Sequence, residues 1–227
     1  MYSLTILVTI ISIWFFQSAK CQRFGSGPCP IVKPQSDFDK TKFFGHWIEV
    51  EKSPSIFDLI MRCISVDYSD DNDGSINVVV RGTSLAGLPL SVNGDGLPQD
   101  VSRNGQYSVR YGFGVPFQGT YITVVDTDFN DYAVLYSCTN SLLPGVFHTE
   151  YVWILSRDGT LSNPSRQNIY ENLDRLKINR VGLQLSERSA CAGRNTTLNQ
   201  RESDDDLTKG TTLKPLQPEA PVPVSGS

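Results

Sequence analysis

TYITVVDTDFNDYAVLYSCT, residues 120–139, is the stretch on which the fold turns. Tyr121-Ile122-Thr123-Val124-Val125 and Tyr132-Ala133-Val134-Leu135-Tyr136 are runs of β-branched and aromatic residues, and Asp126-Thr127-Asp128-Phe129-Asn130-Asp131 between them is turn chemistry. The pattern is a β-hairpin whose second strand ends in Cys138. That strand is apolar on both faces. It must therefore be covered on both, by a filled barrel interior on one side and a helix or another sheet on the other. The hairpin reads as the wall of something closed.

Outward from the hairpin the same alternation recurs. Phe38-Asp39-Lys40-Thr41-Lys42-Phe43-Phe44 reads as one short helical turn, and Gly45-His46-Trp47-Ile48-Glu49-Val50-Glu51 alternates as a first strand. Further strands are read at 62–68, 75–81, 90–94 and 106–111, then the hairpin at 120–125 and 132–139, then an eighth at 150–156. Eight strands with mostly short connections and no helix between them predict an all-β fold, an eight-stranded up-and-down antiparallel barrel. After the eighth strand the period changes. Asn163 is read as a helix cap with Pro164 at the first position, and Ile169, Leu173 and Leu176 recur at i, i+4 and i+7 to give one apolar face. This one C-terminal α-helix is expected on the outside of the barrel, where it supplies the cover that the two-faced strand requires.

Composition bounds the rest. A chain of 227 residues, 39% hydrophobic and 10% aromatic, can bury a core as one large β domain or two small ones. A net charge of -4, from 20 basic against 24 acidic residues, shows no basic stripe for neutralising phosphates and argues against nucleic acid as a partner. Residues 4–16 are apolar but too few to span a bilayer, and the small residues in Gln17-Ser18-Ala19-Lys20-Cys21-Gln22 suit a signal-peptidase cut. Residues 1–21 are read as a secretion signal, which makes the protein extracellular. Cleavage after Cys21 leaves Cys29, Cys63, Cys138 and Cys191, an even count that suggests two disulfides in an oxidising compartment. Cleavage before Cys21 would leave it an unpaired thiol. Four cysteines permit three pairings, and the sequence alone does not choose among them. Their wide spacing argues against zinc, and no metal is expected. Residues 22–193 are assigned to the barrel domain; Asn195-Thr196-Thr197 is a glycosylation sequon on Asn195, and residues 194–227 read as a disordered acidic and Pro-rich tail.

Three segments carry a resemblance. Gly45-His46-Trp47, Thr127-Asp128-Phe129 with Asn130-Asp131-Tyr132-Ala133, and Ser156-Arg157-Asp158 resemble the three characteristic blocks of the lipocalin family, in order and suitably spaced. Residues 42–52 and 132–138 are similar to its apolipoprotein D-like and insect bilin-binding-protein-like branch, and the similarity runs from about Cys29 to Cys191. Ile48 stands where relatives often have an aromatic residue, and Phe129 where they often have Tyr. The resemblance implies the pairing of Cys29 with Cys138 and of Cys63 with Cys191. It also implies structural roles at the start of the first strand and after the eighth: Trp47, following Gly45, closes the barrel floor and Arg157 lies across it, a cation–π contact of about 0.5–2 kcal/mol. Thr127 and Asp128 belong to the tight turn, where Asp readily bonds backbone.

The ligand expectation rests on strand alternation. If Arg157 points inward, Leu155, Trp153 and Tyr151 share its face. The resemblance places Ala133, Leu135 and Ser137 inside on the neighbouring strand. Tyr107, Val109 and Tyr111 form the inner face of the fifth strand, and Tyr68 is a candidate on the second. Tyr68, Val109, Tyr111, Leu135, Tyr151 and Trp153 are therefore the candidate ligand-binding residues, in an apolar and aromatic interior with several hydroxyls. Such an interior suits a small hydrophobic molecule; bilin, retinoid, fatty acid and sterol all fit, and no cofactor is required beyond such a ligand. The plain alternative is that these aromatics simply fill the barrel as core. Glu49 shares the inward face with Trp47, either as a pocket acid or as the residue at a strand bend.

Sorting the connections by end gives a second expectation. One end is nearly all polar; at the other, residues 54–61, 85–89, 113–117 and 142–147 all carry large apolar side chains. That rim either folds inward as a lid or marks a contact with a lipid surface or a protein. Catalysis is not expected: there are two histidines, His46 and His148, with no nucleophile elbow, phosphate loop or paired metal spacing. The competing functional class is an interaction protein that acts through the rim or the tail and has no physiological small ligand.

Overall fold

A computed structural model describes residues 24–71, 74–99, 104–112, 120–141, 145–188 and 191, with Phe24, Ile56, Phe57 and Thr120 described by backbone only. The expected secretion signal at 1–21, the sequon at Asn195 and the tail at 194–227 lie outside the described residues. The chain divides into two compact units, Met1–Arg188 and Ser189–Ser227, and the barrel belongs to the first.

The described strands in chain order are β1 (Phe24–Ser26), β2 (Gly45–Lys52), β3 (Met61–Asp70), β4 (Ile76–Ser84), β5 (Pro89–Pro98), β6 (Gln106–Tyr111), β7 (Thr120–Thr127), β8 (Tyr132–Asn140), β9 (Phe147–Ser156) and β10 (Gln184–Leu185). Helix α1 (Lys40–Phe43) precedes β2, a 3-10 turn (Ile56–Leu59) joins β2 to β3, and α2 (Asn163–Arg175) follows β9. From β2 to β9 each strand pairs with the next, and β9 pairs back on β2 from Ile48↔Ser156 to Lys52↔Trp153. The result is the closed eight-stranded antiparallel barrel with one C-terminal helix that the sequence predicts. Two short strands are additions to that reading: β1 pairs with β9 and β10 with β2. With three and two residues they are too short for alternation to reveal.

The two-faced strand is covered as its composition demands. Every residue of β8 from Tyr132 to Ser137 is buried. Ala133 and Leu135 join Trp47, Val66, Val124 and Leu155 inside the barrel. Tyr132, Val134 and Tyr136 pack outside it with Val152, Ile154 and the α2 residues Ile169 and Leu173. Each such aliphatic side chain contributes about 1.5–3 kcal/mol over leaving it exposed.

Helix α2 starts one residue earlier than expected. Ser162 is the cap, its Oγ accepting from the Ser165 N–H at 3.1 Å, and Asn163 is the first helical residue. Ser and Asn cap about equally well and Pro164 is tolerated throughout the first turn, so local sequence left the choice open. At the other end Lys177 adopts φ 59°, the Lys177 N–H reaches Asp174 O and the Ile178 N–H reaches Leu173 O. This is a Schellman ending without its usual glycine. Arg166 Nε and Tyr170 Oη each lie 2.6 Å from the buried Glu51 carboxylate, and Asn172 donates to Asp126 at 2.7 Å, so polar contacts fix the helix over β2 and β7. Cys29 and Cys138 form a disulfide, and Cys63 and Cys191 are also disulfide-bonded.

Candidate functional site

The floor is built first. Gly45 has φ 105°, and a Cβ there would lie 3.3 Å from Arg157 Nη1, so this position needs glycine for conformation and for space. The Arg157 guanidinium carbon sits 3.6 Å from the Trp47 ring centroid. Its nitrogens donate to the carbonyls of Lys42, Phe43, Phe44, His46 and Phe129. The Trp47 indole N–H donates to Phe43 O at 2.8 Å. One side chain thus ties α1, β2 and the β7–β8 turn together. In that turn Asp128 Oδ1 accepts from the N–H groups of Asn130, Asp131 and Tyr132, while Thr127 Oγ1 accepts from Phe129 N–H and donates to Tyr132 O. Phe43, Phe38 and Tyr68 complete an aromatic layer, with Phe43 and Tyr68 ring centroids 4.9 Å apart. His46 points outward and pairs with Asp67 at 2.8 Å, Asp67 also meeting Arg81; burial, then Arg81 and Arg157, hold the imidazole below its usual pKa.

Above the floor the six candidate residues all lie on the strand faces expected of them. Tyr68, Val109 and Leu135 are buried in the interior cluster, Tyr68 as part of the aromatic layer. Tyr111, Tyr151 and Trp153 are only partly buried, although Tyr111 and Trp153 pack on that cluster and Tyr151 stacks on Trp153 at 5.8 Å. A Cβ on Gly94 would lie 2.7 Å from Tyr111 Cδ1, so the missing side chain is what lets the Tyr111 ring lie against β5. Burial pushes the Tyr111 phenol up to about 12 and the Tyr68 phenol further, so both stay neutral hydroxyls at physiological pH. Ser137, directly across from Tyr151, is 1% exposed and its Oγ has no hydrogen-bond partner among the described residues.

A charged cluster on the same wall is new relative to the sequence reading. The register of β2 against β9 shifts between Glu49 and Glu51, which places Glu49 opposite Leu155 and Lys52 opposite Trp153. Glu49 sits at this irregularity, and its carboxylate is buried. Lys52 Nζ lies 2.8 Å from Glu49 Oε1 and 2.6 Å from Asp58 Oδ1, and Ser186 Oγ donates to Glu49 at 2.8 Å. Burial raises the Glu49 pKa despite Lys52; burial alone would lower Lys52, but Glu49 and Asp58 outweigh it and hold the ammonium above its usual value. Strict alternation turns Lys52 outward; it turns in because the register shifts between Glu49 and Glu51, which the sequence does not mark. At the mouth Leu59, Ile60, Leu85, Leu88, Val146 and Phe147 are exposed, Leu59 at 67% and Leu88 at 64%. The Ile56 and Phe57 side chains and residues 113–117 and 142–144 of the expected rim lie outside the described residues.

An antiparallel eight-stranded barrel, floored by arginine over tryptophan and flanked by one outer helix, defines a recognisable class of proteins, and comparison with known proteins gives the family. Residues 38–184 match the family described as a lipocalin-like domain. Apolipoprotein D of Bos taurus is 32% identical over 143 residues, covering 63% of this chain and 73% of that protein. Bilin-binding protein of Pieris brassicae is 25% identical over 158 residues, covering 69% and 82% respectively. The crystal structure of insecticyanin from Manduca sexta superposes with a TM-score of 0.64 at 24% identity, covering 73% of this chain and 89% of that one, a likeness of fold. The chain belongs to the lipocalin family, in its apolipoprotein D-like and insect bilin-binding-protein-like branch. Proteins of this branch are carriers of small hydrophobic molecules, not enzymes.

Proposed function

We propose that this chain is a secreted carrier that holds a small hydrophobic molecule of the bilin, retinoid, fatty-acid or sterol kind inside the barrel. The observation that carries the reading is that Tyr111, Tyr151 and Trp153 keep part of their surface exposed on inward faces, above a floor whose side chains are buried. Aromatic walls with a few neutral hydroxyls are what an apolar ligand with one or two polar groups requires. The name of the Pieris brassicae relative supports a bilin among the candidates. The Cys29–Cys138 disulfide fits an extracellular protein, and the leader at 1–21 and the sequon at Asn195 complete that reading. The test is native mass spectrometry and an absorption spectrum on protein secreted from a eukaryotic host, followed by tryptophan-quenching titrations with retinoic acid, arachidonic acid and biliverdin and with the uncharged retinol and arachidonyl alcohol. Saturable quenching by at least one of these molecules at micromolar concentrations or below is expected, with the bound mass lost in Trp153→Ala combined with Leu135→Arg. No bound mass and no saturable quenching would favour an interaction protein acting through rim or tail.

The exposed mouth residues support an addition to this reading: the rim collects ligand at lipid surfaces. Lipid-vesicle flotation should retain the native protein and lose a Leu59→Ser, Leu88→Ser variant; equal flotation of the two would discard the addition.

A further inference from the structure

The barrel wall has a charge pattern that a ligand must satisfy. Among the described residues Lys52 is the one basic side chain on an inward face above the floor, and Glu49 and Asp58 both contact its ammonium. Arg157 is committed to floor carbonyls. Arg110 is exposed between the inward Val109 and Tyr111, and Arg62 is exposed beside Met61, whose side chain packs on the inner side of Gly82. The connections at the mouth, residues 53–60, 85–89, 112–119 and 141–146, contain neither Lys nor Arg, but they do contain Asp58. A carboxylate brought into the barrel therefore meets two carboxylates and, among the described residues, no unengaged cation on an inward face. Removing a carboxylate from water without a partner is unfavourable even after relaxation. A neutral oxygen is accommodated: the Tyr111 O–H and Trp153 N–H have no hydrogen-bond partner among the described residues and keep exposed surface, and Ser137 Oγ is an unpartnered hydroxyl further along the same wall.

We infer that the barrel selects by charge, taking uncharged hydrophobic molecules that bear a hydroxyl or carbonyl group and rejecting their carboxylate counterparts, because the Glu49–Lys52–Asp58 cluster leaves no cation for an acid. This rests on the carrier reading and narrows it. The test uses two matched pairs, retinol with retinoic acid and arachidonyl alcohol with arachidonic acid, titrated into the full-length protein at pH 7.4 with tryptophan quenching as readout. Each alcohol is expected to bind at least about tenfold more tightly than its acid. Asp58→Asn, which leaves Lys52 with one carboxylate, should narrow that gap severalfold by strengthening the acid, with the alcohol unchanged; circular dichroism establishes that the variant is folded. Equal affinity within both pairs, tighter binding of the acids, or a gap that a folded Asp58→Asn leaves untouched overturns charge selection and leaves the carrier reading standing. Absence of saturable binding by all four molecules overturns both.

Discussion

Arg157 shows how much of the architecture one residue can hold. Its planar fork meets carbonyls from α1, β2 and the β7–β8 turn while its face rests on Trp47. Charge-assisted hydrogen bonds of this kind contribute about 1.5–3 kcal/mol, and the cation–π contact about 0.5–2 kcal/mol. Arg157→Ala is therefore expected to lower the unfolding free energy by about 2–4 kcal/mol in urea titration and to expose Trp47 to acrylamide quenching. Arg157→Lys should recover little, since a point ammonium cannot span carbonyls on three separate segments. A variant with native stability would show that the floor holds without the fork. The lipocalin resemblance made Arg157 and Trp47 legible in the sequence. The carbonyl partners were not, because a backbone oxygen leaves no mark in side-chain identity.

At the scale of elements, strands were legible where alternation had room to show itself. β8 announced its two covered faces because residues 132–136 are apolar at every position, and α2 announced its buried stripe through Ile169 and Leu173. The inward turn of Lys52 was hidden because a shifted register moves a side chain across the sheet without altering local composition. The end of α2 was hidden for the opposite reason: Lys177 occupies a left-handed position where glycine is the expected signal. That position is open to improvement. Relief of left-handed strain exceeds the extra freedom glycine gains in the unfolded chain, so Lys177→Gly should stabilise by about 0.5–1 kcal/mol. The melting temperature should rise by about 1–4 °C, with Lys177→Ala giving no gain. A lower melting temperature for Lys177→Gly would show that the lysine side chain contributes more than its backbone costs.

For the molecule as a whole, the buried phenols set a limit in alkali. Burial, as the first cause, pushes Tyr107 and Tyr111 to about 12, and Tyr68 higher. In the unfolded chain tyrosines ionise near pH 10, so the folded state keeps protons that the unfolded state has lost. Stability is then fully present below about pH 10 and declines as pH rises from there through 12. Lys52, also raised, adds in the same direction. Urea midpoints should be level between pH 8 and 9.5 and lower at pH 11, and absorbance at 295 nm should show fewer tyrosines titrating in the folded protein than in urea. A midpoint unchanged at pH 11 would contradict the burial of these hydroxyls.

The pairing of β9 with β2 joins the last barrel strand to the first. On the ribosome, then, β2 pairs with β3 early but waits for nearly the entire domain before its second partner exists, and β8 emerges with two apolar faces before the helix that shields one of them has been made. Until α2 arrives, the nascent chain presents a surface that chaperones would hold and that neighbouring chains would aggregate on. A ribosome stalled before residue 163 would leave that surface bare, whatever the stability of the finished barrel.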